Sequence, residues 1–375
     1  MKRCLVISDS FKGTLSSPAI CRIARSLAVP GWQVDALPVA DGGEGTVDCF
    51  IQAMGAQRVE VTVTNALGEK SAAAYARIGE LAIIEMAAAA GLPQVGALRC
   101  PGTATTYGVG ELIAHAAHSG CKKILLGLGG SATNDGGCGC AAALGVRFYD
   151  ADGQSFVPVG DTLGRIARID TAKADELLRS VEITVMCDVT NPLYGPTGAA
   201  YVFAPQKGAD AEKVKSLDAG LRHFGDVIRS QLGIDVSRMP GAGAAGGMGA
   251  GCVALLGGMI QSGIDAVLDV TGFDRQLEGA DLVITGEGRI DSQSADGKVV
   301  SGVARRTRAK GVPLIAIAGG IADSAGAVYD IGVSAMFSTD RAALPVDMLG
   351  ARSPGDYEAT LSDIMSLIAI AERFA

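Results

Sequence analysis

Ile124-Leu125-Leu126-Gly127-Leu128-Gly129-Gly130-Ser131-Ala132-Thr133-Asn134-Asp135-Gly136-Gly137 reads as a buried strand that ends in a glycine-rich turn. The apolar run Ile124–Leu128 has no polar alternation, which a strand shows only when helices cover both of its faces. The same pattern recurs at Cys4–Ser8, Val34–Val39, Leu282–Thr285 and Leu314–Ala318, with a further candidate at Ser334–Ser338. Helical periodicity lies between these runs, at Ser17–Leu27, Tyr107–His118, Val299–Arg308 and Tyr357–Phe374. Ser16 or Ser17 before Pro18 supplies an N-cap with proline in the first turn. Strands alternating with helices predict an α/β fold with parallel strands and right-handed crossovers.

The middle of the chain has a different pattern. Val59–Val63 and Ala72–Met86 alternate as strands, joined by a turn at Ala66-Leu67-Gly68, and Val146–Tyr149, Ile183–Met186 and Ala199–Phe203 continue a sheet-rich region. With 375 residues and roughly 150 residues per domain, two or three domains are expected. The pattern predicts a Rossmann-like doubly wound domain from residues 1–60 plus 262–375, discontinuous, with a second α/β domain inserted at 61–261. The active site is expected in the cleft between them.

Composition narrows the class. Hydrophobic residues make up 48% and charged residues 19%, the profile of a globular chain. The net charge of -8 disfavours nucleic acid, whose phosphates need an excess of Lys and Arg. Nine cysteines, mostly in apolar settings, predict reduced thiols in a cytoplasmic protein. The apolar run after Met1-Lys2-Arg3 is too short for a signal peptide. Residues 239–264 carry no charge, and Gly243-x-x-x-Gly247-x-x-x-Gly251 imitates a membrane packing motif. Gly and Ala dominate that run, so a glycine-rich turn leading into a short buried helix (Gly251–Gly257) is expected instead. It lines either a core or a contact between subunits of a homo-oligomer.

Five stretches combine glycine with acids, hydroxyls and bases just past strand ends, where open α/β sheets bind ligands. Ser8-Asp9-Ser10-Phe11-Lys12-Gly13-Thr14 suits an anion at a helix start, or an ordinary capped turn. Asp41-Gly42-Gly43-Glu44-Gly45-Thr46 offers carboxylates for Mg2+ or for a substrate proton, or a solvated surface turn. Gly127–Gly137 satisfies a Gly-x-Gly-x-x-Ala dinucleotide fingerprint, but Asn134-Asp135 within the turn would repel a pyrophosphate unless a metal intervenes. Phosphates with Mg2+ fit it better than NAD. In Cys187-Asp188-Val189-Thr190-Asn191-Pro192-Leu193, Asp188 is expected to end a buried strand, where a carboxylate is costly unless paired or ligating; structural capping by Asp188 and Asn191 is the alternative. Thr285–Ser294 with Gly297-Lys298 packs Glu287, Arg289, Asp291 and Lys298 into one short span, the mixture of cations and carboxylates that phosphoryl transfer needs. Gly-x-x-x-x-Gly-Lys-[Ser/Thr], the protein-kinase motifs and the Gly-x-Ser-x-Gly elbow are all missing, and three His are too few for His-based metal chemistry.

Taken in order, Ser8–Thr14, Asp41–Thr46, Gly129–Gly137, Asp188–Leu193, Gly241–Gly251 and Gly286–Lys298 resemble the bacterial glycerate kinases of glyoxylate and sugar-diacid metabolism. The resemblance runs from Asp9 to about Gly332. Val300 and Asp296 depart from the family's pattern beside Gly297-Lys298. The resemblance implies a two-domain α/β fold and ATP-dependent phosphorylation of D-glycerate, with 2-phosphoglycerate as product. The 3-phosphate, a related hydroxy acid, or an NAD-dependent dehydrogenase stand as alternatives. Beside that resemblance, residue chemistry suggests roles. The turns carrying Gly129, Gly130, Ser131, Asn134 and Asp135, and Gly286 and Gly288, are expected to hold the phosphates of ATP. Glu287 and Asp291 are candidate Mg2+ ligands. Arg289 or Lys12 pairs with the glycerate carboxylate, Asp188 or Asp41 accepts the hydroxyl proton, and Lys298 stabilises the transferred phosphoryl group.

Overall fold

The structure, a computed structural model, describes all residues except 12, 41, 44, 297–298, 343–345 and 372–375. It is an α/β protein in two compact units. The first comprises Met1–Ala40, Cys49–Gly55 and Ile264–Ala375, and the second Asp41–Asp48 and Ala56–Gly263. In chain order the strands are β1 (Lys2–Ser8), β2 (Trp32–Pro38), β3 (Gln57–Thr64), β4 (Lys70–Ile78), β5 (Leu81–Glu85), β6 (Lys123–Gly127), β7 (Arg147–Tyr149), β8 (Ser155–Phe156), β9 (Arg168–Asp170), β10 (Glu182–Met186), β11 (Met259–Gln261), β12 (Leu282–Ile290), β13 (Leu314–Ile321) and β14 (Ala335–Ser338).

The first unit is a parallel sheet in the order β14-β13-β12-β1-β2. Counted within the unit, that is a doubly wound 2-1-3-4-5 arrangement, in which ligands bind at the β1/β12 switch point. Successive residues point to opposite faces. Leu5 and Ile7 therefore enter one core with the helix Val299–Lys310. Cys4 and Val6 enter the other with the helices Ser17–Ser26 and Ser353–Ala371. Ser16 caps the first of these helices by accepting from Ala19 N.

In the second unit β11, β10, β6 and β5 run parallel, and the antiparallel hairpin β4-β3 closes the edge. β7, β8 and β9 form a small separate antiparallel sheet. The helix Tyr107–His118 has the expected bounds.

Several expectations are corrected. Ala199–Phe203 is a helix, not a strand; its buried residues are the adjacent Ala199 and Ala200, which is no period-two pattern. Ala72–Met86 is two strands, broken at Gly79-Glu80. Gly286–Gly288 is not a turn: β12 continues through it, pairing Glu287 with Ala318 and Arg289 with Gly320. The helix expected at Gly251–Gly257 runs Ala244–Leu256, with Ala245, Gly246 and Gly247 left-handed near its start. Among the described residues, no helix is long and apolar enough to cross a membrane. All nine cysteines are free thiols, with Cys100 the exposed one.

Candidate active site

In the second unit the glycine loop leaves the C-terminal end of β6 and is stitched to its neighbours by backbone bonds. Gly129 N donates to Gly42 O (3.1 Å), Leu92 N to Gly130 O (2.9 Å) and Ala132 N to Ala90 O (2.9 Å). Only glycine permits this approach, since a Cβ on Gly127 would lie 2.3 Å from Gly42 O. The Gly42–Thr46 stretch is thereby brought onto the end of β6. There Thr46 N and Oγ1 both donate to Gly43 O. Glu85, buried at the end of β5, accepts from Val47 N at 2.6 Å and so caps the start of the helix Thr46–Met54. Asp41 lies outside the described residues.

The interior of the loop is polar. Asp135 is fully buried and accepts from Thr106 N, Thr106 Oγ1, Gly137 N and Gly139 N at 2.8–3.2 Å. Burial pushes its pKa above the usual carboxylate range, against the pull of these donors. Two of the donors belong to the start of the helix Cys138–Ala143, so Asp135 anchors the loop to that helix. Lys207, only 2% exposed, donates from Nζ to Ser131 Oγ and Thr133 O, both at 2.7 Å. Burial pulls its pKa down to about 7, with the Asp135 charge opposing. Both amide atoms of Asn134 and the hydroxyl of Thr133 are buried without a hydrogen-bond partner among the described residues. Lys207 was not among the expected site residues. A single lysine in Ala204–Gly208 looks solvated from the sequence until the fold buries it.

Asp188 does not end the buried strand. β10 stops at Met186, and Asp188 is exposed, accepting from Gly263 N at 2.8 Å. Asn191 Nδ2 donates to Thr197 O at 2.8 Å, so this stretch also holds its own loop together.

In the first unit the switch point gathers the other two stretches. Asp9 N donates to Gly286 O (2.9 Å), and Asp9 Oδ1 accepts from Ser10 N (2.7 Å). Ser17 Oγ donates to Ser8 O and accepts from Val39 N, tying the end of β1 to the end of β2. A surface cavity of about 460 Å³ opens beside this turn, lined by Ser10, Phe11, Gly13, Thr14, Leu15 and Ser16. Glu287, 7% exposed, and exposed Arg289 lie on β12. Asp291 accepts from Gln293 N and so starts the short 3-10 helix Ser292–Ala295. Lys12 and Lys298 lie outside the described residues. Among the described residues no group of three or more His, Cys, Asp or Glu is placed to hold a metal ion. The first and fifth stretches thus meet in one unit, and the second, third and fourth in the other.

The cavity wall is backed by an aromatic pair. Phe11 meets Tyr357 of the C-terminal helix edge-on, with ring centroids 5.8 Å apart. The Tyr357 hydroxyl is buried and has no partner among the described residues. Tyr357→Phe removes that desolvated hydroxyl and keeps the ring. The variant is expected to equal the natural chain or exceed it by about 1–2 kcal/mol in urea unfolding. A clear loss of stability would reveal a role for the hydroxyl.

Known proteins resemble this chain along nearly its whole length. The glycerate kinase family model matches residues 4–369. A glycerate kinase of Bacillus cereus is 44% identical over 98% of both chains. A protein of Escherichia coli named glycerate 2-kinase is 45% identical over 89% of both chains. The crystal structure described as glycerate kinase 2 of Salmonella typhimurium LT2 superimposes with a TM-score of 0.86, at 39% identity and 99% coverage of both chains. The family's enzymes transfer a phosphoryl group to an alcohol, so the dehydrogenase reading of Gly127–Ala132 finds no support. With six motif stretches in order and a match along nearly its whole length, this chain belongs to the glycerate kinase family.

Proposed function

We propose that this protein phosphorylates D-glycerate with Mg2+-ATP and yields 2-phosphoglycerate. The observation that carries the reading is the β1/β12 junction, where a doubly wound sheet binds its ligand. It presents Asp9 and Ser10 just past the end of β1, beside the stretch of β12 that carries Glu287. The choice of the 2-hydroxyl follows the Escherichia coli relative, named for that position.

These oxygen donors suit Mg2+, which takes one or two carboxylates and fills its remaining positions with phosphate oxygens and water. Glu287 and Asp291 are the residues assigned to hold it. When bound, Mg2+ neutralises charge on the phosphate oxygens. Gly129, Gly130 and Ser131 offer the nucleotide a narrow backbone, Asn134 offers it an amide with no internal partner, and Asp135 holds the loop from within. Gly286 and Gly288 leave the surface of β12 without side-chain bulk. The exposed guanidinium of Arg289 is assigned to the glycerate carboxylate, which it can grip through two parallel hydrogen bonds; Lys12 is the other candidate. Asp188 or Asp41 takes the hydroxyl proton, and Lys298 stabilises the phosphoryl group in transit.

The test is ADP release with Mg2+-ATP and D-glycerate, followed by phosphorus NMR of the product. A phosphate on the secondary hydroxyl is expected. A phosphate on the primary hydroxyl would overturn the 2-position, and no ADP with glycerate would overturn the substrate. Arg289→Ala is expected to raise the KM for glycerate more than the KM for ATP.

A further inference from the structure

Lys207 sits where a lysine is costly. An ammonium taken out of water loses its hydration, and an uncharged side chain of similar length would fill the same space without that loss. Its burial is reflected in a pKa drawn down to about 7. Its two acceptors, Ser131 Oγ and Thr133 O, flank Ala132 in the glycine loop. The Thr133 carbonyl belongs to the rigid peptide plane that also carries the nitrogen and Cα of Asn134. Fixing that oxygen therefore fixes the direction in which Asn134 leaves the chain. On the other side of Asn134, Asp135 is fixed by its four donors. The loop is clamped before and after Asn134, yet the Asn134 amide and the Thr133 hydroxyl have no partner among the described residues. A buried amide with both ends unsatisfied costs free energy that a polar ligand atom would recover.

We infer that Lys207 is a positioning residue for nucleotide binding, fixing Ser131 and the Thr133 carbonyl from beneath the loop and so aiming Asn134 at the nucleotide. The inference rests on the reading that this loop contacts ATP. Lys207 touches no substrate; it acts through the loop.

The experiment compares Lys207→Met, Lys207→Gln, Asn134→Ala and Ser131→Ala in the full chain. Mg2+-ATP affinity is measured by titration calorimetry, the two KM values and kcat by steady-state assay, and Tm by circular dichroism. Lys207→Met removes a desolvated ammonium but leaves Ser131 Oγ and Thr133 O without their donor, two opposing effects, so it is expected to fold with a Tm near that of the natural chain. Its Kd and KM for ATP should rise about tenfold to a hundredfold, the effect of a loop displaced by about 1 Å. The KM for glycerate should change far less. Lys207→Gln, which keeps one donor, should retain part of the affinity, and Asn134→Ala should weaken ATP binding to a similar degree. Unchanged ATP affinity in Lys207→Met beside a weakened Asn134→Ala overturns the inference and leaves the loop reading standing. Unchanged affinity in Asn134→Ala overturns the inference whatever Lys207→Met does, and if Ser131→Ala is also unchanged, the loop reading falls with it. If both Lys207 variants fail to fold, the residue is structural and the inference is overturned.

Discussion

Asp135→Ala is expected to lower the stability of the chain by about 3–5 kcal/mol and to abolish phosphoryl transfer by the protein that remains folded. The carboxylate accepts four hydrogen bonds, two from Thr106 and one each from Gly137 and Gly139, and has no exposed surface. Alanine leaves those donors buried with nothing to accept them, each costing about 1–3 kcal/mol before relaxation. It also deprives buried Lys207 of the opposing charge that favours its protonated form. The loop then loses its anchor on the helix Cys138–Ala143, and Ser131 and Asn134 lose their placement. Asp135→Asn keeps the shape but sets amide hydrogens against backbone N–H donors, so it too is expected to be destabilised. Urea unfolding followed by far-UV circular dichroism is the measurement, because Trp32 reports only on the first unit. A midpoint near that of the natural chain would show that the four bonds matter little.

Gly246→Ala produces the second large effect. Gly246 is left-handed (φ 69°), and a Cβ there would lie 2.1 Å from Thr133 O and 2.5 Å from Asn134 Cα, both backbone atoms. Gly246 O also accepts from Gly136 N at 3.0 Å, so residue and loop cannot separate without breaking that bond. The left-handed backbone costs an alanine about 1–2 kcal/mol, and overpacking adds about 1–3 kcal/mol. A loss of about 2–5 kcal/mol is expected, together with a fall of about a hundredfold in kcat/KM as the loop is pushed aside. The neighbouring Ala245 makes the control. It is already left-handed (φ 53°) with a side chain, so Ala245→Gly relieves strain and is expected to stay within about 1 kcal/mol of the natural chain. Paired unfolding and kinetic assays read both variants, and equal behaviour of the two would refute the steric argument.

Much of this protein is legible before any fold is known. The strands around Cys4–Ser8, Ile124–Leu126 and Leu314–Ala318 are continuous apolar runs, and a chain can bury such runs only under helices on both sides. The helix Tyr107–His118 carries its own periodicity, and Ser16 before Ser17-Pro18 is a local signal that needs no tertiary partner. The five stretches rich in glycine, acid and hydroxyl are visible for the same reason: they break the apolar pattern, four of them past strand ends and the fifth within β12.

What the sequence could not show depends on partners distant in the chain. Ala199–Phe203 is too short to display a period, and its packing decided for helix. The glycines of 286–288 suggested a turn, yet pairing with β13 carries β12 past them to Ile290. Asp188 looked buried because its strand is, but the strand ends two residues earlier. Sequence alone determined the α/β class and the stretches that carry oxygen donors and small residues, because strand burial, caps and turns are properties of neighbours in the chain. Only the tertiary structure decided that Lys207, 74 residues from Thr133, lies beneath the glycine loop and that Asp135 faces inward. Burial and the hydrogen bonds that answer it are set by which distant segments fold against each other, and no local pattern records that choice.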